Sequence, residues 1–492
     1  MIDYFKKLSF QTMIYGMGDM VVKALAFLLI PLYARMLTAE VIGIYGLIQS
    51  FQLIMVLVLG LGFNTALFKV ISDTENPVEK KEVVGTSIIF LMCWSLPLVG
   101  LMVAGAPLLS RAIWQTPENS LFLRYAFIAY FFDLFRVLLL AVLRTEEKSV
   151  HYSAINIVNF VLLAGLNIIN VAVRKRGLLG IMESQLLATV IVAAVTWFYF
   201  SRRFIFTISK SRLRALLRFG LPLVPSGVAA WAIIQTSKYF IHHYLNDQEV
   251  GIYFMGEKFG TIVAIIMVRP FRVAWLPFMF SIQKDHDARR VYALTLTYLL
   301  AAGIFLVLFL SLLSREIIIL AATEKFLESR HIIPLIALAY LCYGIFNTVD
   351  VGVLLSGKTV YYARITVITA VITLALNSRI IPKFGTPGAA FVTFFSYFLM
   401  ALLMFITAQR LYPVQYETKR ILCLFMTGVL IYLTSLLVKS DVLWMAVLVK
   451  SGLLAAYPVL LIVFRFFTPQ EIAQLKNIGN FIKKRIGREK HG

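Results

Sequence analysis

Charge is scarce in this chain: only 15% of its 492 residues are Asp, Glu, Lys or Arg, against a hydrophobic share of 60%. That ratio excludes a soluble globular protein of ordinary composition. Cysteine is almost missing, and Cys93, Cys342 and Cys423 all fall within apolar runs, which suits packing residues rather than a disulfide framework. No long polar segment interrupts the chain either. The longest external stretch, about 313–330, is short, and no paired carboxylates, metal-ligand cluster or nucleophile constellation lies outside the apolar runs. A glycan polymerase, ligase or polytopic glycosyltransferase is therefore disfavoured, and neither cofactor nor metal is expected. An A-x-A cleavage pattern is also lacking after the first apolar run, which Asp19 and Lys23 interrupt, so that run reads as a retained helix and uncleaved signal anchor.

What the chain has is apolar length. Runs of the ~20 residues needed to cross a bilayer number about fourteen. They lie near 11–36, 41–70, 84–106, 120–142, 152–173, 178–200, 216–244, 249–280, 291–312, 331–354, 362–381, 386–409, 420–437 and 442–465. The predicted fold class is an all-α polytopic membrane protein.

Acids are the rarer charge, 25 against 47 Lys and Arg, for a net charge of +22. In a soluble chain such a surplus suggests nucleic acid; here its placement explains it. With a cytoplasmic N-terminus, the inside segments carry more than half of the 47 basic residues, including Lys80 and Lys81, the cluster from Arg202 to Arg218, and the tail from Arg465. This bias is the positive-inside rule, and it predicts both termini in the cytoplasm and no nucleic-acid partner. Arg174, Lys175 and Arg176 are the exception, falling outside.

The chain also repeats itself. GIYGLIQSF at 43–51 returns as GIYFMGEKF at 251–259, and at the same offset of 208 Leu37, Gly43, Ile44, Tyr45, Phe51, Ile54 and Phe63 match Leu245, Gly251, Ile252, Tyr253, Phe259, Ile262 and Phe271. Lys175, Gly177 and Gly180 match Lys383, Gly385 and Gly388 in that register, while KSVHY at 148–152 and Asn167 match KTVYY at 358–362 and Asn377 at an offset of 210. Three ordered blocks indicate duplication. A repeat unit of six spans is even, so the copies share one orientation and are related by an axis along the membrane normal. The expected domains are a six-helix lobe over 1–204, a second over 205–412, and 413–492 holding two extra spans and a basic tail. In the lobe-to-lobe linker Arg212, Arg214 and Arg218 alternate with Leu213, Leu216 and Leu217, as on an interfacial helix. In the tail, TPQE at 468–471 forms a capping box ahead of Ile472, Leu475, Ile478, Ile482 and Ile486 at helical spacing, suited to lying on anionic lipid or to enforcing topology.

Within the spans stand Asp19, Lys23, Asp133, Arg136, Lys238, Glu257, Lys258, Arg269, Arg272 and Asp350. Each costs roughly 2.5–3.5 kcal/mol at mid-bilayer, so together they point to a wet cavity. At 100° per residue Lys258, Arg269 and Arg272 share a stripe, as do Gln235, Lys238 and His242, and Tyr45, Gln49 and Gln52, which makes spans 1, 2, 7 and 8 the expected walls. Asp19 with Lys23 and Asp133 with Arg136 equally suit ion pairs inside a packed lobe. Lys238, Arg269 and Arg272 lack an obvious local acid. Lys69 and Lys450 sit near span ends, where they can snorkel. Six cations (Lys23, Arg136, Lys238, Lys258, Arg269 and Arg272) face four acids, so the cleft leans positive and suits a phosphate or pyrophosphate.

LLRFGLPLVPSG at 216–227, LLSGKTVYYARI at 354–365 and NSRIIPKFGTPGAAFVTFFSY at 377–397 resemble the O-antigen (Wzx-type) polysaccharide flippases of the multidrug/oligosaccharidyl-lipid/polysaccharide exporter superfamily. The resemblance implies a bacterial inner-membrane flippase. It would turn undecaprenyl-pyrophosphate-linked oligosaccharides to the periplasmic leaflet by alternating access, alongside membrane lipids and a polysaccharide polymerase and glycosyltransferases. It further implies that the cavity cations hold the pyrophosphate; Asp19, Asp133 and Asp350 are the candidates if an ion is coupled. The rival reading on the same scaffold is a cation-coupled multidrug antiporter.

Overall fold

The computed structural model describes residues 27–201, 204–437, 442–464 and 466–467. Asp19, Lys23 and the predicted tail helix lie outside the described residues. Those described form helices and no strand. In the first half they are α1 (Leu29–Met36), α2 (Ala39–Gly60), α3 (Phe63–Ser72), α4 (Pro77–Trp114), α5 (Ser120–Thr145), α6 (Ser149–Asn167) with a π turn to Val173, α7 (Gly177–Phe200) and the linker helix α8 (Lys210–Gly220). The second half follows with α9 (Leu223–Tyr244), α10 (Asp247–Gly260), a π turn (Ala264–Val268), α11 (Arg269–Ser281), α12 (Ala288–Leu312), α13 (Ser314–Ala321), a 3-10 turn (Glu324–His331), α14 (Ile333–Val349), α15 (Val351–Leu355), α16 (Val360–Leu411), α17 (Thr418–Leu436) and α18 (Leu443–Val463).

Twelve described stretches are long and apolar enough to cross a membrane. One of them, α16, is 52 residues long and breaks at Gly385, whose φ of 61° suits glycine, so it supplies two spans. With the first apolar run, of which only the end is described, the count agrees with the prediction. Large apolar side chains such as Leu101, Leu108, Phe198 and Trp444 are exposed, as a lipid-facing surface requires.

The repeated sequence builds repeated structure. Thr38 and Asn246, at equivalent positions, both cap helices: Thr38 Oγ1 accepts from Val41 N and Asn246 Oδ1 from Glu249 N. Glu40, and Asp247 with Glu249, then place acids in the first turns of α2 and α10, where the helix dipole favours them. Asn167 of α6 accepts from the Tyr33 hydroxyl of α1, 3.0 Å away, and its counterpart Asn377 accepts from Ser237 of α9 at 3.2 Å. Both copies also break at one register. Leu61 and Gly62 take φ of 47° and 72° between α2 and α3, and their counterparts Arg269 and Pro270 follow the π turn into α11. Pro270 has no N–H to give and its ring crowds the preceding turn, so the helix widens there. The sequence predicts unbroken spans over 41–70 and 249–280; turn chemistry at Gly62 and Pro270 divides them.

The motif also answers why it recurs. A Cβ on Gly43 would lie 1.8 Å from Asp247 O, and one on Gly251 1.9 Å from Ala39 O, so α2 and α10 cross backbone to backbone with their Gly-Ile-Tyr turns touching. Only glycine permits that approach. This clasp joins the two halves at one end of the molecule.

Elsewhere α5 packs along α4 and α7, and α14 along α12 and α16, while α17 and α18 lie against α12 of the second half. The linker helix departs from the interfacial picture. Leu216 is fully buried, and Leu213 and Leu217 pack with it against the core under α3 and α4. Arg212 pairs with Glu79 on the opposite side of that seam. Its apolar stripe therefore packs on helices of the first half.

Candidate functional site

Between the halves lies a cavity of about 760 Å³. Tyr45, Gln49 and Gln52 of α2, Gln235 and Lys238 of α9, and Glu257 and Lys258 of α10 line it, together with Arg269 beyond the π turn. The predicted walls are thus present, with α1 contributing Leu29, Ile30 and Tyr33 for the first span. The sequence missed the far wall, an aromatic surface of Tyr340, Tyr343, Phe346, Tyr362 and Tyr397 from α14 and α16. Those residues read as ordinary packing in an apolar run; their spacing at i, i+3 and i+6 in α14 is the one signal that they share a face.

Among the described residues the charged groups lining this cavity are three cations and one carboxylate. Lys238 is 3% exposed and its Nζ stands 2.7 Å from Glu257 Oε2 and 2.6 Å from Gln235 Oε1. Gln235 Oε1 also accepts from Ser50 of α2 at 3.0 Å, so this buried pair is stitched across the halves. Lys258 donates to Gln49 Oε1 at 3.1 Å and stands 4.5 Å from the centre of the Phe254 ring, a cation–π contact. Phe254 itself lies on Gly46, its counterpart in the repeat, which has no side chain to obstruct the ring.

Arg269 is different. It is exposed in the cavity wall, and among the described residues it has no ion-pair or hydrogen-bond partner. Arg272 is not. Its guanidinium stands 2.6 Å from Asp350 Oδ2 and donates to Asn347 O at 2.6 Å, and Tyr362 donates to the same carboxylate. Asp350 is fully buried. The expectation that Lys238 and Arg272 lack an acid therefore fails, because Glu257 and Asp350 reach them from other helices, which no helical spacing can reveal. The expected stripe of Lys258, Arg269 and Arg272 is likewise lost, since the π turn between Lys258 and Arg269 shifts the helical phase.

Asp133 and Arg136 of α5 do form the local pair, at 2.7 Å, and Arg136 also donates to Asn156 at 2.9 Å. They stand in a second cavity of about 190 Å³ inside the first half, which shares Tyr33, Tyr45, Gln49, Gln52 and Leu163 with the large one. His242 leaves the stripe of Gln235 and Lys238. Its two ring nitrogens stand 2.6 Å from Asp247 Oδ1 and from Ile113 O, tying α9 to the end of α4 beside the clasp. Lys450 pairs at 2.7 Å with the buried Glu316 instead of snorkelling, while Lys69 meets Asp73 at an exposed site. Among the described residues no group of three or more His, Cys, Asp or Glu could hold a metal ion, and the three cysteines are free.

A family model described as polysaccharide biosynthesis protein matches residues 10–283, more than half of the chain. The chain belongs to that family. Among curated relatives it is similar to the Lsg locus putative protein 1 of Haemophilus influenzae, 25% identical over 287 residues, and to an uncharacterized membrane protein of that organism, 23% identical over 285. Each alignment covers 56% of this chain and 66% of the relative, just under two thirds of its length. Among solved structures the fold is similar to the lipid II flippase MurJ in an inward closed conformation, with a TM-score of 0.73 at 15% identity over 93% of this chain and 98% of that one. An inward-facing multidrug resistance MATE family transporter scores 0.66 at 14% identity over 85% of this chain and 96% of that one. This polysaccharide biosynthesis family member is therefore a multi-pass membrane protein with the MurJ and MATE fold.

Proposed function

We propose that the protein is a flippase that carries undecaprenyl-pyrophosphate-linked oligosaccharides from the cytoplasmic to the periplasmic leaflet of the bacterial inner membrane. It would work by alternating access of its two six-helix lobes, 1–204 and 205–412, with both termini cytoplasmic. Its product would feed a polymerase and glycosyltransferases making a polysaccharide such as O-antigen. The observation that carries this reading is Arg269, a guanidinium without a partner among the described residues, in the wall of a positively biased cavity between two lobes. An unpaired cation inside a membrane protein is costly unless a ligand anion compensates it, and a guanidinium holds phosphate oxygens bidentately. Lys258, tethered among the described residues by a neutral amide and a ring, is the natural second contact. Lys238 and Arg272 shape the site through their carboxylates; Asp133 and Arg136 pair within α5, while the Arg272–Asp350 pair ties α11 to the end of α14.

A multidrug antiporter reading needs an acid free to meet a cationic drug or an ion. Glu257 is held by Lys238, Asp133 by Arg136 and Asp350 by Arg272, so none of these is free. The discriminating experiment titrates the purified protein in nanodiscs with undecaprenyl pyrophosphate and, separately, with ethidium, followed by native mass spectrometry. Saturable lipid binding, weakened about ten- to a hundredfold by Arg269→Ala, is expected. Ethidium binding without lipid binding would replace the flippase by the antiporter.

A further inference from the structure

We propose that the smaller cavity inside the first lobe is a glycan subsite that takes the sugar attached to the pyrophosphate. The inference rests on the flippase reading above and adds to it a specificity-determining set: Asn159, Gln185, Gln52 and the Asp133–Arg136 pair.

The chemistry of the walls selects the ligand class. The cavity has about 190 Å³, the room of a single sugar ring, and among the described residues its charged groups are Asp133 and Arg136, which neutralise each other at 2.7 Å. An anion finds its cation already occupied there, and a metal ion would have to displace a guanidinium from the one carboxylate. An uncharged ligand rich in hydroxyls meets neither obstacle. Asn159, Gln185 and Gln52 each present a carboxamide, which offers donor and acceptor side by side and so matches adjacent hydroxyls or an acetamido group. The side chains of Gln52 and Gln185 have no partner among the described residues. Asn159 Oδ1 is buried without a hydrogen-bond partner among the described residues, an orphaned acceptor in the wall of a polar cavity. Such an atom costs stability unless something donates to it. Tyr33 and Tyr45, whose rings meet edge to face at 5.8 Å, supply the apolar surface that a pyranose needs for its C–H face.

Placement links the subsite to the cation patch. Gln49 accepts from Lys258 at 3.1 Å and donates to the Tyr45 hydroxyl at 2.6 Å, and both Gln49 and Tyr45 line both cavities. A pyrophosphate at Lys258 and Arg269 therefore leaves its first sugar at the mouth of the amide-lined pocket. One lobe would read charge and the other hydroxyl pattern, and parting the lobes would loosen both contacts together.

The test compares the full-length protein in nanodiscs for binding of undecaprenyl pyrophosphate, undecaprenyl-pyrophosphate-N-acetylglucosamine and undecaprenyl-pyrophosphate-galactose. At least one sugar-bearing lipid is expected to bind about tenfold tighter than the bare lipid. Asn159→Ala and Gln185→Ala should each remove most of that increment and leave the bare lipid unaffected. Arg269→Ala should weaken all three lipids alike, which separates the two claims: loss of bare-lipid binding in the wild type counts against the flippase reading. The subsite assignment is overturned if neither sugar adds affinity in the wild type, or if amide variants that bind the bare lipid normally keep the full sugar increment. Because the bare lipid is measured on the same samples, a misfolded variant shows itself as loss of both; Asn159→Asp and Gln185→Glu then provide the second pair, with the same expectation.

Discussion

At the clasp the two halves of the chain behave as copies, while at the cavity they differ in kind. Thr38 and Asn246 cap equivalent helices, and Gly43 and Gly251 meet through bare backbone. Both copies then break one turn into the second half of the span, but Leu61–Gly62 makes that break a tight turn against Gly220, whereas Arg269–Pro270 makes it a π turn that sets a guanidinium in the cavity wall. Span 4 carries Asp133 and Arg136 into an amide-lined pocket, while its counterpart α14 offers Tyr340, Tyr343 and Phe346. What the copies share thus joins the two halves, and where they differ they line the cavity. Under the flippase proposal, a ligand with a charged end and a polar end is served by unlike halves.

The largest effect should come from breaking the copied part. Gly43→Val places side-chain carbon where Asp247 O stands 1.8 Å from the ideal Cβ, and backbone on both sides cannot yield as a side chain would. Transport should be abolished, and cysteines introduced near Thr38 should become reactive to impermeant thiol reagents; unaltered transport would show that the clasp need not close. Next comes Arg272→Ala, which leaves Asp350 buried without its cation and should cost about 3–5 kcal/mol. Thermal denaturation in detergent measures it, and Arg272→Met with Asp350→Leu should recover most of the loss.

Smaller and more informative is Arg269→Ala. Because Arg269 has no partner to orphan among the described residues, the protein should keep its melting temperature while lipid pyrophosphate affinity falls about ten- to a hundredfold. A matching fall in stability would make Arg269 structural and narrow the contrast between the lobes. The smallest effect belongs to Arg212→Ala at the linker, whose partly exposed pair with Glu79 should contribute under about 1 kcal/mol. A larger loss would mean that α8 is anchored by charge more than by Leu216.

Much of this arrangement is legible in the residues. Span count follows from apolar run length, the duplication from the GIY echo, and the walls at α2 and α9 from the spacing of Tyr45, Gln49 and Gln52 and of Gln235 and Lys238. What escapes is long-range or stereochemical. Glu257 lies nineteen positions from Lys238 and Asp350 lies seventy-eight from Arg272, so neither pairing has a sequence signature. The phase shift ahead of Arg269 was signalled by Pro270, since a proline within an apolar run implies a kink or widened turn and a stripe should not be extended across it. The linker stripe at Leu213, Leu216 and Leu217 has the same pattern whether lipid or protein covers it, and only tertiary packing decides between them. The aromatic wall stays hidden for a related reason: tyrosine and phenylalanine serve packing and cavity alike.

The central claim is that a cationic cavity between the two lobes moves a pyrophosphate-linked sugar across the membrane, and Arg269 is its most accessible handle. The direct measurement reconstitutes the wild type and Arg269→Ala into liposomes holding undecaprenyl-pyrophosphate-linked sugar with a fluorescent tag, and follows quenching by an impermeant reductant. The account predicts that wild-type protein exposes the inner-leaflet pool and that Arg269→Ala slows this toward the rate of protein-free vesicles. Equal quenching in wild-type and protein-free vesicles, or full activity in Arg269→Ala, would contradict it.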